Sequence, residues 1–88
     1  MTDDDRSATT RVLLLNDDET TMEFVVEVLE DIFGKTRDEA TRLMLEIHNN
    51  GRGECGVYSP EEAGQLVERV TELARQNGFP LRCIVESD

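Results

Sequence analysis

Arg11-Val12-Leu13-Leu14-Leu15-Asn16-Asp17-Asp18-Glu19-Thr20-Thr21-Met22-Glu23-Phe24-Val25 is the stretch that decides the fold. Arg11 to Leu15 is a near-continuous apolar run, the pattern of a strand at the centre of a sheet. The run stops abruptly in an amide and two carboxylates. Thr20 and Glu23 then have the S/T-x-x-E spacing of a capping box, so a helix is expected to open at Thr20. Such a strand end brings Asn16, Asp17 and Asp18 to the rim of a buried core. That combination suits a ligand carrying one positive charge beside an apolar side chain.

The pattern continues outward from there. Met22, Val25, Val26, Leu29, Ile32 and Phe33 recur at helical spacing, with Glu23, Glu27 and Glu30 opposite and Gly34 as the expected stop. Thr36 with Glu39 forms a second capping box, followed by an apolar stripe of Ala40, Leu43, Met44 and Ile47 that ends at Asn50 and Gly51. Gly53 to Ser59 reads as a short strand. Ser59-Pro60-Glu61-Glu62 starts a third helix, with Ser as the cap and Pro at the first helical position. Ala63, Leu66, Val67, Val70 and Leu73 carry this helix to Asn77 and Gly78. Leu81 to Val85 is the last strand. The order β-α-α-β-α-β predicts an α+β domain, a three-stranded antiparallel sheet with three helices packed on one face.

The chain has 88 residues, enough for one small domain. A domain of that size buries only about 60% of its unfolded surface, which leaves little room for a large catalytic cavity. Residues 1–10 are polar and acidic and read as a flexible tail before a core of residues 11–88. With 20 acidic and 9 basic side chains the net charge is -11. Nucleic acid and anionic membrane surfaces are therefore poor partners, and cationic groups are better ones. No apolar run is long enough to span a bilayer, and the first residues lack the basic and apolar parts of a secretory signal, so a cytoplasmic location is expected. Cys55 and Cys83 fit two reduced core residues better than a disulfide. Metal spacing is lacking: there is one histidine and no Cys-x-x-Cys pair.

Taken alone, Asn16, Asp17 and Asp18 also fit a polar turn that satisfies loose backbone groups. Calcium loops space their oxygens at alternating positions, whereas these are consecutive. A phosphoacceptor receiver domain opens similarly, but it needs a later strand-end Asp and Lys, and the single lysine here, Lys35, is misplaced. His48 follows Met44 on one helix face and fits a helix-end cap as well as a ligand contact. With Asn16 and Asp18 it could supply three acceptors to an alkylammonium group, which has three donors. A small enzyme acting on peptides is a rival, although no nucleophile–base pair is evident. A plain interaction module is another, since the fold resembles the C-terminal domain of a ribosomal stalk protein and fold does not fix function.

Leu14-Leu15-Asn16-Asp17-Asp18-x-Thr20-x-Met22-Glu23-Phe24-Val25, Met44-x-x-x-His48, Cys55-Gly56-Val57-Tyr58 and Phe79-Pro80-Leu81-x-Cys83 together resemble the ClpS family, over about residues 11–86. These are small adaptors of the ClpAP protease that recognise N-degrons. The resemblance implies binding of substrates with N-terminal Leu, Phe, Tyr or Trp, and their delivery to an AAA+ unfoldase through the N-terminal domain of a ClpA-like partner. It implies that Asn16, Asp18 and His48 hold the α-amino group, with Asp17 near the first peptide units. The side-chain pocket would comprise Leu14, Leu15, Thr20, Met22, Val25, Met44, Ile47 and Leu81, with Met22 as a gate against β-branched residues. Glu61 matches an unfoldase contact, and the tail before Arg11 is the segment the unfoldase engages during delivery. No cofactor, metal or catalytic residue is implied. Three positions depart from the family pattern: Glu19 replaces an aromatic, Thr21 a proline, and Leu66 a lysine on the unfoldase face.

Overall fold

A computed structural model describes residues 9–87. Its elements are β1 (Thr10–Leu15), α1 (Met22–Asp31), α2 (Arg37–Asn50), β2 (Arg52–Tyr58), α3 (Pro60–Gln76) and β3 (Arg82–Ser87). β1 takes the central place in the order β2-β1-β3, and both of its pairings are antiparallel. The α+β arrangement, three helices against a three-stranded antiparallel sheet, is the expected one. Residues 1–8, most of the expected tail, lie outside the described residues, and Thr10 already belongs to β1.

The period-two alternation of β1 divides the sheet into two faces. Val12 and Leu14 are fully buried and join Val25, Val28, Leu29, Ile47, Cys55, Val70 and Cys83 in the single core beneath the helices. Leu13 points the other way, between Glu54 and Ile84 in the strand register. It is nonetheless buried. Around it Arg11 pairs with Glu86 at 3.5 Å and Glu54 at 3.8 Å, and Arg52 also bonds Glu86. The aliphatic stems of these side chains can cover apolar surface while their charges stay in water.

Cys55 and Cys83 are free and buried on β2 and β3. These strands flank β1, so the two cysteines are about 9–10 Å apart across it, too far to bridge. Desolvation pushes both thiols up to about 12, which makes them inert packing residues.

The turn after β1 departs from the expectation at one point. Asp17 Oδ1 accepts the amides of Glu19 at 2.9 Å and Thr20 at 2.7 Å, and its Oδ2 accepts the Thr20 hydroxyl at 2.7 Å. Thr20 is therefore used up in the turn and does not cap the helix. Thr21 takes over, its hydroxyl accepting the Phe24 amide at 3.1 Å. α1 ends at Asp31, before Gly34, with the Lys35 amide folding back to the Leu29 carbonyl at 3.0 Å. The second capping box forms as expected: Thr36 accepts from the Glu39 amide at 3.2 Å, and Glu39 accepts from the Thr36 amide at 3.0 Å. Ser59 caps α3 and so lies outside β2.

Two glycines set the position of α2. Gly51 adopts a left-handed conformation at φ 89°, returning its N–H to the Ile47 carbonyl at 2.9 Å. Its own carbonyl accepts the Asn16 N–H at 2.9 Å. Gly53 lies under α2 so closely that a Cβ there would stand 2.7 Å from Ile47 Cγ1 and 3.0 Å from Leu43 Cδ1.

Two expectations follow. Gly53→Ala should destabilise the fold by about 1–3 kcal/mol, because Ile47 is wedged in the core and cannot yield cheaply; urea unfolding at pH 7 measures it. The Asp17 carboxyl is partly buried, which pushes its pKa up. The Thr20 hydroxyl and the Thr20 and Glu19 amides outweigh that and hold it below the usual carboxylate value. A depressed folded-state value means stability that is present above the unfolded value near 3.8 and lost as pH falls through the folded one. Asp17→Asn should thus cost about 1 kcal/mol at pH 7. The gap to the parent protein should narrow in unfolding curves taken in acid, below the unfolded value.

Candidate functional site

The end of β1, the start of α1 and the end of α2 enclose a cavity of about 310 Å³. Its polar rim is Asn16, Asp17, Asp18, Thr20, Thr21 and His48, and its apolar walls are Met22, Val25, Met44 and Ile47. No lysine or arginine lines it.

Local folding explains why these residues meet. Asn16 is the first residue beyond β1, and its amide is clamped to Gly51, one residue beyond α2. His48 sits in the last turn of α2, three residues before that clamp. The bond between Asn16 and Gly51 therefore brings the amide and the imidazole to the same rim. The Asp17 turn then reverses the chain so that Met22 and Val25, in the first turn of α1, close the opposite wall.

The rim groups differ in how they are engaged. Asp17 spends both carboxylate oxygens on its own turn. Among the described residues no hydrogen bond engages the side chains of Asn16, Asp18 or His48. All three are exposed at the mouth. Met22 stands 46% exposed at the entrance, which leaves it free to swing. Val25 and Ile47 are buried and form fixed walls.

Nine of the expected site residues therefore share one cavity. Leu14 and Leu81 do not line it; they are packed in the core with Val25 and Ile47, behind the walls. Leu15 does not line it either. By alternation from Leu14 it belongs to the outer sheet face, where it pairs in register with Arg52 and Arg82. Glu61 is exposed in the first turn of α3 and is not part of the cavity. Thr21 is a lining residue that the sequence reading missed. Adjacent threonines leave the cap assignment ambiguous, and only the capture of Thr20 by Asp17 decides it.

No nucleophile–base pair forms at the cavity among the described residues. His48 has no hydrogen-bonded hydroxyl or thiol partner among the described residues, and both thiols are buried and firmly protonated. Among these residues no three His, Cys, Asp or Glu are grouped to hold a metal ion. No described helix is long and apolar enough to cross a membrane.

Known proteins share both the sequence and the shape. The family model for the ATP-dependent Clp protease adaptor protein ClpS matches residues 5–84. The ClpS adapter protein of Gluconobacter oxydans is 58% identical over 78 residues, which cover 89% of this chain and 66% of that protein. The Brucella canis adapter is 58% identical over 76 residues, covering 86% of this chain and 66% of its own length. The chain thus spans a little under two thirds of the length of these relatives. The structure of Agrobacterium tumefaciens ClpS2 bound to L-phenylalaninamide superposes with a TM-score of 0.90 at 34% identity, covering 94% of this chain and 100% of that one. A family match across nearly the whole sequence, carried by the same fold, means that this chain belongs to the ClpS family of Clp protease adaptor proteins.

Proposed function

We propose that the protein is a receptor for free N-termini that begin with Leu, Phe, Tyr or Trp. It would pass the proteins that carry them to a ClpA-like AAA+ unfoldase of a ClpAP protease in the cytoplasm. The observation that carries this reading is a rim of unengaged acceptors, Asn16, Asp18 and His48, set over an apolar hollow. L-Phenylalaninamide, the ligand of the Agrobacterium neighbour, has the matching form: a free amine, a benzyl side chain, and an amide where a peptide would continue.

An N-terminal amine has a pKa of about 7.7–8.0 and is mostly cationic at neutral pH. Its three donors match the Asn16 carbonyl, the Asp18 carboxylate and an imidazole nitrogen of His48. Asp17, although its hydrogen bonds are spent on the turn, adds negative charge beside the first peptide units. The first side chain enters between Met22, Val25, Met44 and Ile47, past Thr20, with Leu14 and Leu81 behind the wall. Its burial contributes about 1.5–3 kcal/mol. Met22 stands at the mouth, where a branch at Cβ would broaden the stem that has to pass it. The adaptor itself breaks no bond. Glu61, on a separate surface of α3, is the proposed contact to the N-terminal domain of the unfoldase.

The decisive experiment is a fluorescence polarisation titration with Phe- or Leu-initiated peptides and their N-acetylated twins. The free peptide should bind at about micromolar Kd or tighter. Acetylation should weaken it at least tenfold, since acceptors buried without a donor cost about 1–3 kcal/mol or more. Equal affinity of the two would overturn the reading and leave an interaction module of the same fold that ignores N-termini. In the same assay Met22→Ala should narrow the gap between Leu- and Ile- or Val-initiated peptides, and an unchanged gap would remove Met22 from the role of gate.

A further inference from the structure

Three methionines occur in the chain. Met1 lies outside the described residues, and the other two, Met22 and Met44, both line the cavity at the end of β1. The same pair lines a second cavity of about 420 Å³ between α1 and α2. Two open hollows thus meet at two thioethers. Met22 is 46% exposed and Met44 is half-buried, so small solutes reach both side chains. The remaining sulfurs are the Cys55 and Cys83 thiols, buried in the core and pushed up to about 12 by desolvation. A thiol reacts with peroxide as its thiolate, which these two scarcely form at neutral pH. A thioether needs no ionisation, so access governs its oxidation. Among the described residues, the sulfurs open to an oxidant are therefore confined to the walls of the candidate site.

We infer that Met22 and Met44 are a modification site through which hydrogen peroxide turns off the capture of apolar N-termini. This rests on the function proposed above. Peroxide transfers one oxygen atom to the thioether: an S–O bond forms, the O–O bond breaks, sulfur gives up an electron pair and water leaves. The product carries a strong polar acceptor where an apolar sulfur stood. The first side chain of the bound chain passes between these two residues. There the sulfoxide oxygen has to shed its water without gaining a donor, because the donors of the amine are taken by Asn16, Asp18 and His48. In the free protein the same oxygen stays hydrated at the mouth. Oxidation accordingly acts on binding and spares the fold, whose buried core holds neither methionine. The change is reversible, since sulfoxide reductases return the thioether at the expense of a dithiol, which leaves as a disulfide with water.

The test treats the full chain with graded hydrogen peroxide, maps the products by peptide mass spectrometry and titrates each sample with a labelled Phe-initiated peptide. Met22 and Met44 should each gain one oxygen while Cys55 and Cys83 stay unmodified. The oxidised protein should bind about tenfold more weakly or worse, with its far-ultraviolet circular dichroism unchanged. Sulfoxide reductase with dithiothreitol should restore the affinity. Saturating peptide, added before the peroxide, should slow oxidation of Met44. The double variant M22L/M44L keeps Met1, and its treated form should match its own untreated form, whatever that affinity is. Several results would overturn the switch: full conversion of both methionines with affinity unchanged or tighter, a loss that persists in the double variant, a loss that follows unfolding, or thiols oxidised before Met22. Those results leave the function proposed above intact. If the untreated protein binds the peptide no better than its acetylated twin, that function fails, and the switch with it.

Discussion

The bond between the Asn16 N–H and the Gly51 carbonyl is the constraint on which the site depends. Gly51 ends α2 and is at the same time the first residue held by the strand end of β1. One left-handed residue therefore does two jobs: it stops the helix, and it sets where the helix stops relative to the sheet. The φ of 89° is open to glycine without penalty, whereas a side chain there would be strained. Gly53, two residues on, lets α2 settle against β2 at the distance this geometry needs. The position of His48 over Asn16 is a consequence of backbone geometry and core packing, with no need for the two side chains to touch.

The two adjacent acidic residues differ in what they do for the fold. Asp17 is directed inward along the turn, where it satisfies two amides and a hydroxyl and remains ionised to lower pH than usual. Asp18, the next residue, points to solvent with its acceptors available. The first holds the turn that aims the second. A turn held by backbone amides alone would be softer, and the mouth of the cavity would lose its definition along with it.

Much of this was legible in the sequence, because the relevant signals are local. The apolar run of β1, the Thr36–Glu39 box and Ser59-Pro60 each fix an element by short-range chemistry, and all three appear where expected. Thr20 misled because its amide and hydroxyl faced two partners three residues away, Glu23 ahead and Asp17 behind, and the Asp17 carboxylate took both groups. Leu14, Leu15 and Leu81 stand outside the lining for a different reason. A family motif identifies which residues stand near a pocket, but alternation and packing decide which of them touch the void. Leu14 is fully buried behind Val25 and Ile47, and Leu15 faces the other side of the sheet. A hollow between α1 and α2, lined by Glu23, Glu27 and Glu30, was not legible at all, since these residues read simply as the solvated side of an amphipathic helix.

The distribution of the few cations makes sense of the net charge. Self-repulsion in so acidic a chain works against its compact state. Several arginines lie in ion pairs away from the cavity: Arg11 and Arg52 meet Glu54 and Glu86 on the sheet, and Arg75 pairs with Glu72 on α3. Arg37 reaches only the far end of the α1 stripe. None enters the lining of the first cavity. Asp17, Asp18, Glu23 and Glu27 have no ion pair among the described residues, and together they set up a negative field around the mouth and along α1. Such a field raises encounter rates without needing any single strong ion pair. The repulsion left uncompensated there acts on the turn and the first helix, while the sheet that positions them carries paired charges.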